Sequence, residues 1–154
     1  EGGKVALMVV RRHRLWEFFL AEKLKFSWDE VHEVAEDLEH VSNKKLIDKL
    51  DDFLGFPRVD PHGDPIPDAN GRVESIRNTC LTDWPLNSPA IVCKVKDHTR
   101  SLLELLEHKK IAIGSRVEVK KKFEFDESLE LKTGRQTVFT ISKQLAENIF
   151  VQSV

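Results

Sequence analysis

Four side chains that can bind metal ions lie at helical spacing in one short segment. In the segment from His32 to His40, the side chains of His32, Glu36, Glu39 and His40 occupy positions i, i+4, i+7 and i+8. Because an α-helix turns about 100° per residue, the four fall within roughly a 100° arc over about two turns. Imidazoles together with carboxylates are typical ligands of divalent transition metals. The spacing therefore predicts a metal site.

A second pair, His13 and Glu17, has the same i, i+4 spacing on a separate predicted helix. Two helices that face each other with these groups inward would form one compact site. The competing interpretation is a solvated acidic helix face. Residues 28–41 contain six acids and no Lys or Arg, whereas exposed faces usually interleave charges of both signs. This imbalance favours a bound cation.

The ligand types favour a hard ion. No cysteine lies in the cluster, which argues against a closed, cysteine-rich zinc site. Imidazole with several carboxylates indicates Mn²⁺ or Fe²⁺, although affinity order alone favours Zn²⁺ over either. A small metal-dependent hydrolase or oxygenase that uses the same cluster is the alternative function, and a peptide-binding barrel domain is a third. His62 and His108 lie in loop-like contexts and are interpreted as surface or structural residues.

Three helices are predicted to carry these groups. Helical periodicity extends from about Lys4 to Lys25. A capping box at Ser27–Glu30 predicts a second helix from about Trp28 to Val41. A third is predicted from Ser42 to a stop at Gly55.

The remainder of the chain has a different character. Pro and Gly are frequent from residue 56 to 87, which predicts an extended connection. Short strands around one short helix then predict a small SH3-like barrel, with half-buried strands at 90–95, 123–126, 129–132 and 137–141. The fold class is α+β: a helical domain at 1–67, a linker at 68–88 and an SH3-like domain at 89–154.

Composition narrows the class of protein. The chain has 154 residues, a net charge of −2 and two cysteines outside any CxxC motif, which predicts a cytoplasmic protein with reduced thiols. No run approaches the roughly 18–20 apolar residues of a membrane span, and the mild acidity argues against direct nucleic-acid binding. The chain begins with Glu1 rather than Met and is interpreted as a fragment.

Four motifs follow one another in the first 67 residues: Arg11-Arg-His-Arg-Leu-Trp-Glu17, Ser27-Trp-Asp-Glu-Val-His32, Glu36-x-x-Glu-His40 and Asp60-Pro-His-Gly-Asp-Pro-Ile-Pro67. In order and spacing they resemble the iron-dependent repressor family, which includes the diphtheria-toxin-repressor and manganese-transport-regulator types. The resemblance covers nearly all of these 67 residues. The element at Ile113–Val119 is similar to the SH3-like, FeoA-like domain of longer members.

The resemblance implies roles for individual residues. His13, Glu17 and His32 match the family's ancillary metal site, and the primary site is matched by Glu36, Glu39 and His40. Iron-type members have Cys at the position of Glu36, so the carboxylate here favours Mn²⁺ over Fe²⁺, with up to two ions per subunit. Asp97 falls where the SH3-like domain of longer members adds a ligand to the ancillary site.

The resemblance also implies partners. Members are bacterial transcription regulators that dimerise and bind operator DNA through an N-terminal winged helix-turn-helix, which this chain lacks. The resemblance implies that this chain forms a homodimer whose interface uses the apolar sides of the first two helices. The candidate interface residues are Leu7, Leu15, Trp16, Phe19, Trp28 and Val31.

Overall fold

The structure, a computed structural model, describes residues 2–134 and 137–154. Glu1, where the exit from a preceding domain is expected, lies outside the described residues. The chain divides into two compact units, Glu1–Ile76 and Arg77–Val154, and its fold class is α+β as predicted. Among the described helices, none combines the length and apolar character that crossing a membrane requires.

The first unit is built on one long helix. Helix α1 spans Gly2–Glu22, α2 spans Val31–Val41 and α3 spans Lys44–Phe53. Trp16 and Phe19 of α1 pack against two separate core clusters, so α1 contributes side chains to both. One cluster consists of Leu15, Ile47, Leu50 and Ile66. The other consists of Leu20, Val31 and Ala35.

Two predicted helix starts are wrong by two or three residues. Residues 28–30 form a turn and α2 begins at Val31, although the Ser27 N–H still donates to Glu30 Oε2 (3.3 Å). Asn43, rather than Ser42, caps α3 by accepting from the backbone N–H of Leu46 (2.8 Å). At α2 the side-chain bond lies in the turn before the helix, whereas at α3 it is the N-cap bond of the helix itself.

The predicted stop of α3 is confirmed. Gly55 has φ +77°, and its N–H donates to the carbonyl of Asp52 (3.0 Å) while the N–H of Phe56 donates to that of Asp51 (2.9 Å). This left-handed turn satisfies the last carbonyls of the helix, a conformation that glycine adopts at little cost.

The second unit contains β1 (Thr79–Cys80), β2 (Ala90–Val95), α4 (Arg100–His108), β3 (Arg116–Lys122), β4 (Leu129–Thr133), β5 (Val138–Ile141), α5 (Lys143–Glu147) and β6 (Ile149–Ser153). Its six strands form an antiparallel sheet in the order β1-β6-β2-β3-β4-β5. The register shifts in β2 between Val92 and Lys94, and in β3 between Val119 and Lys121, as at a β-bulge. A short 3-10 helix spans Leu81–Asp83, so the predicted linker contains both this helix and β1.

One predicted strand is absent. Residues 123–126 form the turn between β3 and β4 and leave Phe125 fully exposed. The alternation of Phe with acidic residues predicts a half-buried strand, yet the N–H of Phe123 donates to the Ser128 carbonyl (2.9 Å) and closes a hairpin. Alternation alone does not distinguish a strand from a hairpin tip.

A buried ion pair joins α1 to α3. Arg11 is 3% exposed, and its guanidinium donates to Asp51 Oδ2 (2.8 Å) while Nη1 lies 3.3 Å from Asp48 Oδ1. Burial raises the pKa of Asp51, and the guanidinium of Arg11 opposes that shift. Removal of one partner leaves the other charge buried without compensation.

We therefore expect Arg11→Met to lower the free energy of unfolding by about 3 kcal/mol, measured by urea denaturation. The matched control is Lys143→Met, which removes an equally short but half-exposed pair with Glu127 (2.7 Å) and should have a far smaller effect. Equal effects of the two substitutions would show that burial of Arg11 does not set the strength of the pair.

Candidate metal centre

Helices α1 and α2 bring three of the predicted ligands together. His13 and Glu17 lie one turn apart on α1, with His13 Nε2 3.3 Å from Glu17 Oε2. His32, in the first turn of α2, places Nδ1 3.8 Å from the same oxygen and 3.1 Å from His13 Nε2. One ligand atom from each residue lies within 4.8 Å of the other two. A single cation could therefore be bound by all three side chains with small rotamer adjustments.

Glu17 is the buried member of this group. Its side chain is 3% exposed, compared with 17% for His13 and 60% for His32. A buried carboxylate is costly unless a cation or several hydrogen-bond donors compensate it. Three imidazoles surround Glu17: those of His13, His32 and His62.

His62 belongs to a second group that sequence analysis missed. Glu17, Asp60 and His62 are all buried, and one ligand atom of each lies within 4.8 Å of the others. His62 is fully buried, so of the two interpretations, surface or structural, the structure excludes the first. The motif Asp60-Pro-His-Gly-Asp-Pro predicts a tight turn, since Asp and Pro are both typical of turns. The sequence does not show which helices pack against this turn, and so it does not predict that His62 is buried.

The turn itself is organised by Asp60. Asp60 Oδ1 accepts from the backbone N–H groups of His62 and Asp64, each at 2.9 Å. Gly63 has φ +89°, which permits the chain to reverse. The other carboxylate oxygen, Oδ2, lies 3.8 Å from His62 Nδ1.

The tautomer of His62 follows from its neighbours. Nε2 lies 2.8 Å from the carbonyl oxygen of Trp28, and a carbonyl only accepts, so Nε2 carries hydrogen and donates. Nδ1 then faces Asp60 and, at 3.9 Å, Glu17. Burial lowers the pKa of His62, but the carboxylate of Asp60 more than offsets it and the net pKa is raised. Burial also acts to raise the pKa of Asp60, yet His62 holds it below its usual range.

The side chains of the other predicted ligands do not come together as those of His13, Glu17 and His32 do. Glu39 Oε2 accepts from His13 Nδ1 (3.1 Å), whereas His40 is exposed and Glu36, 57% exposed, places Oε2 4.0 Å from His32 Nε2. Within residues 2–134 and 137–154, Glu36, Glu39 and His40 form no three-ligand group. Asp97, an exposed loop residue before α4, belongs to neither of the groups found there.

The burial of Val31 and Ala35 explains this arrangement. Because these two residues face the core, the opposite face of α2 directs Glu36 and His40 to solvent. Glu39, at the edge of the buried face, contacts His13 on α1.

The donor set fits a divalent metal ion. Asp60 Oδ2 is buried and has no hydrogen-bond partner in the described part of the chain. Carboxylates and imidazoles converge on Glu17, and no thiol belongs to either group. Such a set suits Mn²⁺, Fe²⁺ or Zn²⁺ better than a soft ion.

Burial divides the six candidate interface residues into two sets. Leu15 and Val31 are both 0% exposed within a single chain, so they are core residues and not available to a partner. The other four are partly exposed: Leu7, Trp16, Phe19 and Trp28.

Known protein families match both units of the chain. The family model described as iron dependent repressor, metal binding and dimerisation domain matches residues 1–68, and the FeoA domain model matches residues 79–153. The solved structure of a manganese-dependent transcriptional repressor in complex with manganese has a TM-score of 0.93 and 35% identity. That match covers 99% of this chain and 73% of the repressor chain.

Two curated relatives are also similar. The iron-dependent repressor IdeR of Mycobacterium tuberculosis is 31% identical over 124 residues, which cover 73% of this chain and 53% of IdeR. A probable metal transport system membrane protein of Chlamydia trachomatis is 45% identical over 62 residues, which cover 40% of this chain and 14% of that protein. The chain thus spans about half the length of IdeR and a much smaller part of the transport protein.

These matches confirm the predicted family: the chain belongs to the iron-dependent repressors and contains their metal-binding and dimerisation domain followed by a FeoA domain.

The pKa of His13 gives a pH-dependent prediction for the metal-free chain. Burial lowers this pKa, but Glu17 and Glu39 more than offset it, so the folded value is above 6.5. Protonated His13 therefore stabilises the fold fully at pH values below 6.5, and that stabilisation is lost as pH rises through the folded pKa.

With chelator present, the difference in unfolding free energy between the wild type and His13→Gln should be larger at pH 5.5 than at pH 8.5. Chemical denaturation at both values measures it. A difference that is constant, or larger at the higher pH, contradicts the assignment.

Proposed function

We propose that this chain is the metal-sensing part of a transcriptional repressor that responds to Mn²⁺ or Fe²⁺. The observation that carries the proposal is the buried carboxylate of Glu17, on which ligands from α1, α2 and the turn at Asp60 converge. The names of the matched repressors, one dependent on manganese and one on iron, support a divalent metal as effector. The carboxylate of Glu36, where iron-type members have cysteine, favours Mn²⁺.

The two groups offer alternative sites for the first ion. Glu17 belongs to both, so the ion would be bound either with His13 and His32 or with Asp60 and His62. The first group joins α1 to α2, and the second joins α1 to the turn that follows α3. In either case a bound ion supplies the positive charge that offsets the buried carboxylate.

A second ion would be bound by Glu36, Glu39 and His40. Glu36 and His40 are exposed in this chain, which leaves room for ligands from elsewhere in a longer protein. We infer that a DNA-binding domain outside these residues supplies them, since the named repressors are longer than this chain. Occupancy would then fix that domain against α1 and α2, with a coupling of about 1–3 kcal/mol.

The repressor would act as a homodimer on operator DNA. The exposed apolar residues Val5 and Val9 lie one turn apart on the same face of α1. A patch of this kind on one helix is self-complementary under two-fold symmetry. The family model that matches residues 1–68 is described as a metal binding and dimerisation domain.

A regulator explains the comparisons better than an enzyme does. The proteins named above are two repressors and a transport protein. A catalytic metal site also needs an open coordination position beside a substrate pocket, and Glu17, Asp60 and His62 are all buried.

Metal titration of single-site variants tests the proposal. We expect Mn²⁺ to raise the thermal stability of the wild type, by about 2.7 kcal/mol at 100 times its dissociation constant. His32→Ala removes a ligand of the first group only, and Asp60→Asn one of the second only. The variant that weakens Mn²⁺ binding identifies the group that holds the ion. We expect its affinity for Mn²⁺ to fall by roughly 10-fold to 100-fold.

The matched control is Glu33→Gln, an exposed acid on the same helix that belongs to neither group, and its affinity should equal that of the wild type. Fe²⁺ under anaerobic conditions, Zn²⁺ and Mg²⁺ complete the comparison. The proposal fails if no ion stabilises the chain at millimolar concentration, or if Glu33→Gln weakens binding as much as the ligand variants do.

A further inference from the structure

The imidazole of His13 has a polar partner at each of its two nitrogens. Nδ1 lies 3.1 Å from Glu39 Oε2, while Nε2 lies 3.3 Å from Glu17 Oε2 and 3.1 Å from His32 Nδ1. The side chains of His13 and Glu39 are only 17% and 13% exposed, so solvent competes little for the bond between them. Glu39 therefore contacts one nitrogen of the ring, and the other two members of the first group contact the other.

This division determines which nitrogen of His13 is available to a metal ion. A carboxylate only accepts, so Nδ1 carries hydrogen and donates to Glu39. Nε2 faces Glu17 and His32, and it gains a lone pair for the ion when its own proton leaves. In metal sites the hydrogen bond at one imidazole nitrogen selects the other nitrogen as the ligand and orients the ring. Glu39 has this relation to His13.

Two further hydrogen bonds hold the part of α2 that carries Glu39. The indole N–H of Trp16 on α1 donates to the hydroxyl oxygen of Ser42 (2.8 Å), and that hydroxyl donates to the carbonyl of Leu38 (2.6 Å). Ser42 is 9% exposed, and Leu38 directly precedes Glu39 in the sequence. Because these bonds tie the last turn of α2 to α1, they hold Glu39 beside His13.

Access from solvent favours the group that contains His13 as the site of the ion. The side chain of His32 is 60% exposed, so an ion can reach this group from solvent. Glu17, Asp60 and His62 are all buried, and an ion could reach them as a group only if the fold opened. The orientation of His13 therefore bears directly on how the first ion is bound.

We propose that Glu39 is a positioning residue for the ion at Glu17 and acts through His13. The inference rests on the proposed function and commits it to the group of His13, Glu17 and His32. The carboxylate of Glu39 keeps Nε2 of His13 directed at the ion and makes the imidazole a stronger ligand. The ligand concerned is a divalent transition metal. This role involves the first ion alone and does not require a second.

The first test determines which nitrogen of His13 carries hydrogen when an ion is bound. Long-range nitrogen–proton NMR spectra of the 154-residue chain, saturated with diamagnetic Zn²⁺, distinguish protonated from metal-bound imidazole nitrogens, and His13→Gln assigns the signals. We expect a protonated Nδ1 and a zinc-bound Nε2. Zinc bound through Nδ1 would overturn the inference, because Glu39 would then have no hydrogen to accept. A His13 ring that binds no zinc in the saturated chain would overturn it as well.

The second test is the Mn²⁺ affinity of Glu39 variants, with unbound Mn²⁺ measured by electron paramagnetic resonance. The binding phase that His32→Ala weakens belongs to the first ion. Glu39→Ala removes the acceptor and should weaken that phase by roughly tenfold. Glu39→Gln keeps a carbonyl oxygen that can accept from Nδ1 of His13, so it should retain most of the affinity.

The matched control is Asp37→Asn, which removes the same charge from an exposed position on α2 and should leave the affinity unchanged. A His13→Gln background provides a further control. A residue that acts only through His13 has no effect once His13 is replaced, so adding Glu39→Ala should not weaken binding further.

Each other outcome has a distinct meaning. Equal losses in Glu39→Ala and Glu39→Gln, or a loss that persists beside His13→Gln, show that Glu39 binds the ion itself and overturn the inference. An unchanged affinity in Glu39→Ala, or an equal loss in Asp37→Asn, also overturns it. Binding that Asp60→Asn weakens and His32→Ala does not would overturn the inference but not the proposed function. A wild type that binds no Mn²⁺ overturns the proposed function itself.

Discussion

The burial of one carboxylate, that of Glu17, is the constraint on which the first unit depends. Glu17 lies on α1 and its side chain is 3% exposed, where an uncompensated charge would cost several kcal/mol. The unit compensates it with imidazoles from three segments: His13 on α1, His32 on α2 and His62 in the turn after α3. The same three imidazoles are candidate metal ligands. The packing that offsets the buried charge of Glu17 therefore also assembles the candidate metal site.

This packing explains why the two possible three-ligand groups share a residue. The neighbouring carboxylates favour the protonated imidazoles and so raise the pKa of His13 and of His62. A divalent ion at Glu17 would compete with protons for these nitrogens, because histidine binds metal through a deprotonated nitrogen. The groups that stabilise the fold around Glu17 are therefore the groups that could bind the ion.

Helical spacing predicted the part of the site that lies on helices. His13, Glu17 and His32 follow from a period of 3.6 residues, since ligands one turn apart share a face. His62 did not follow, because its burial depends on how the turn at Asp60 packs against Trp28 and α1, and no local period encodes that contact. In the second unit, alternation located most strands but misplaced the tip at Phe125, where the same pattern of side chains lies in a hairpin turn.

The measurement that tests the central claim most directly is the anomalous scattering of manganese in crystals of this chain grown with Mn²⁺. The account predicts an anomalous peak bonded to a carboxylate oxygen of Glu17, with either His13 and His32 or Asp60 and His62 as its other protein ligands. A Glu17→Gln crystal grown in the same way should lack that peak. A manganese peak whose ligands exclude Glu17, or no peak at saturating Mn²⁺, would contradict the claim that this buried carboxylate is the centre of the sensor.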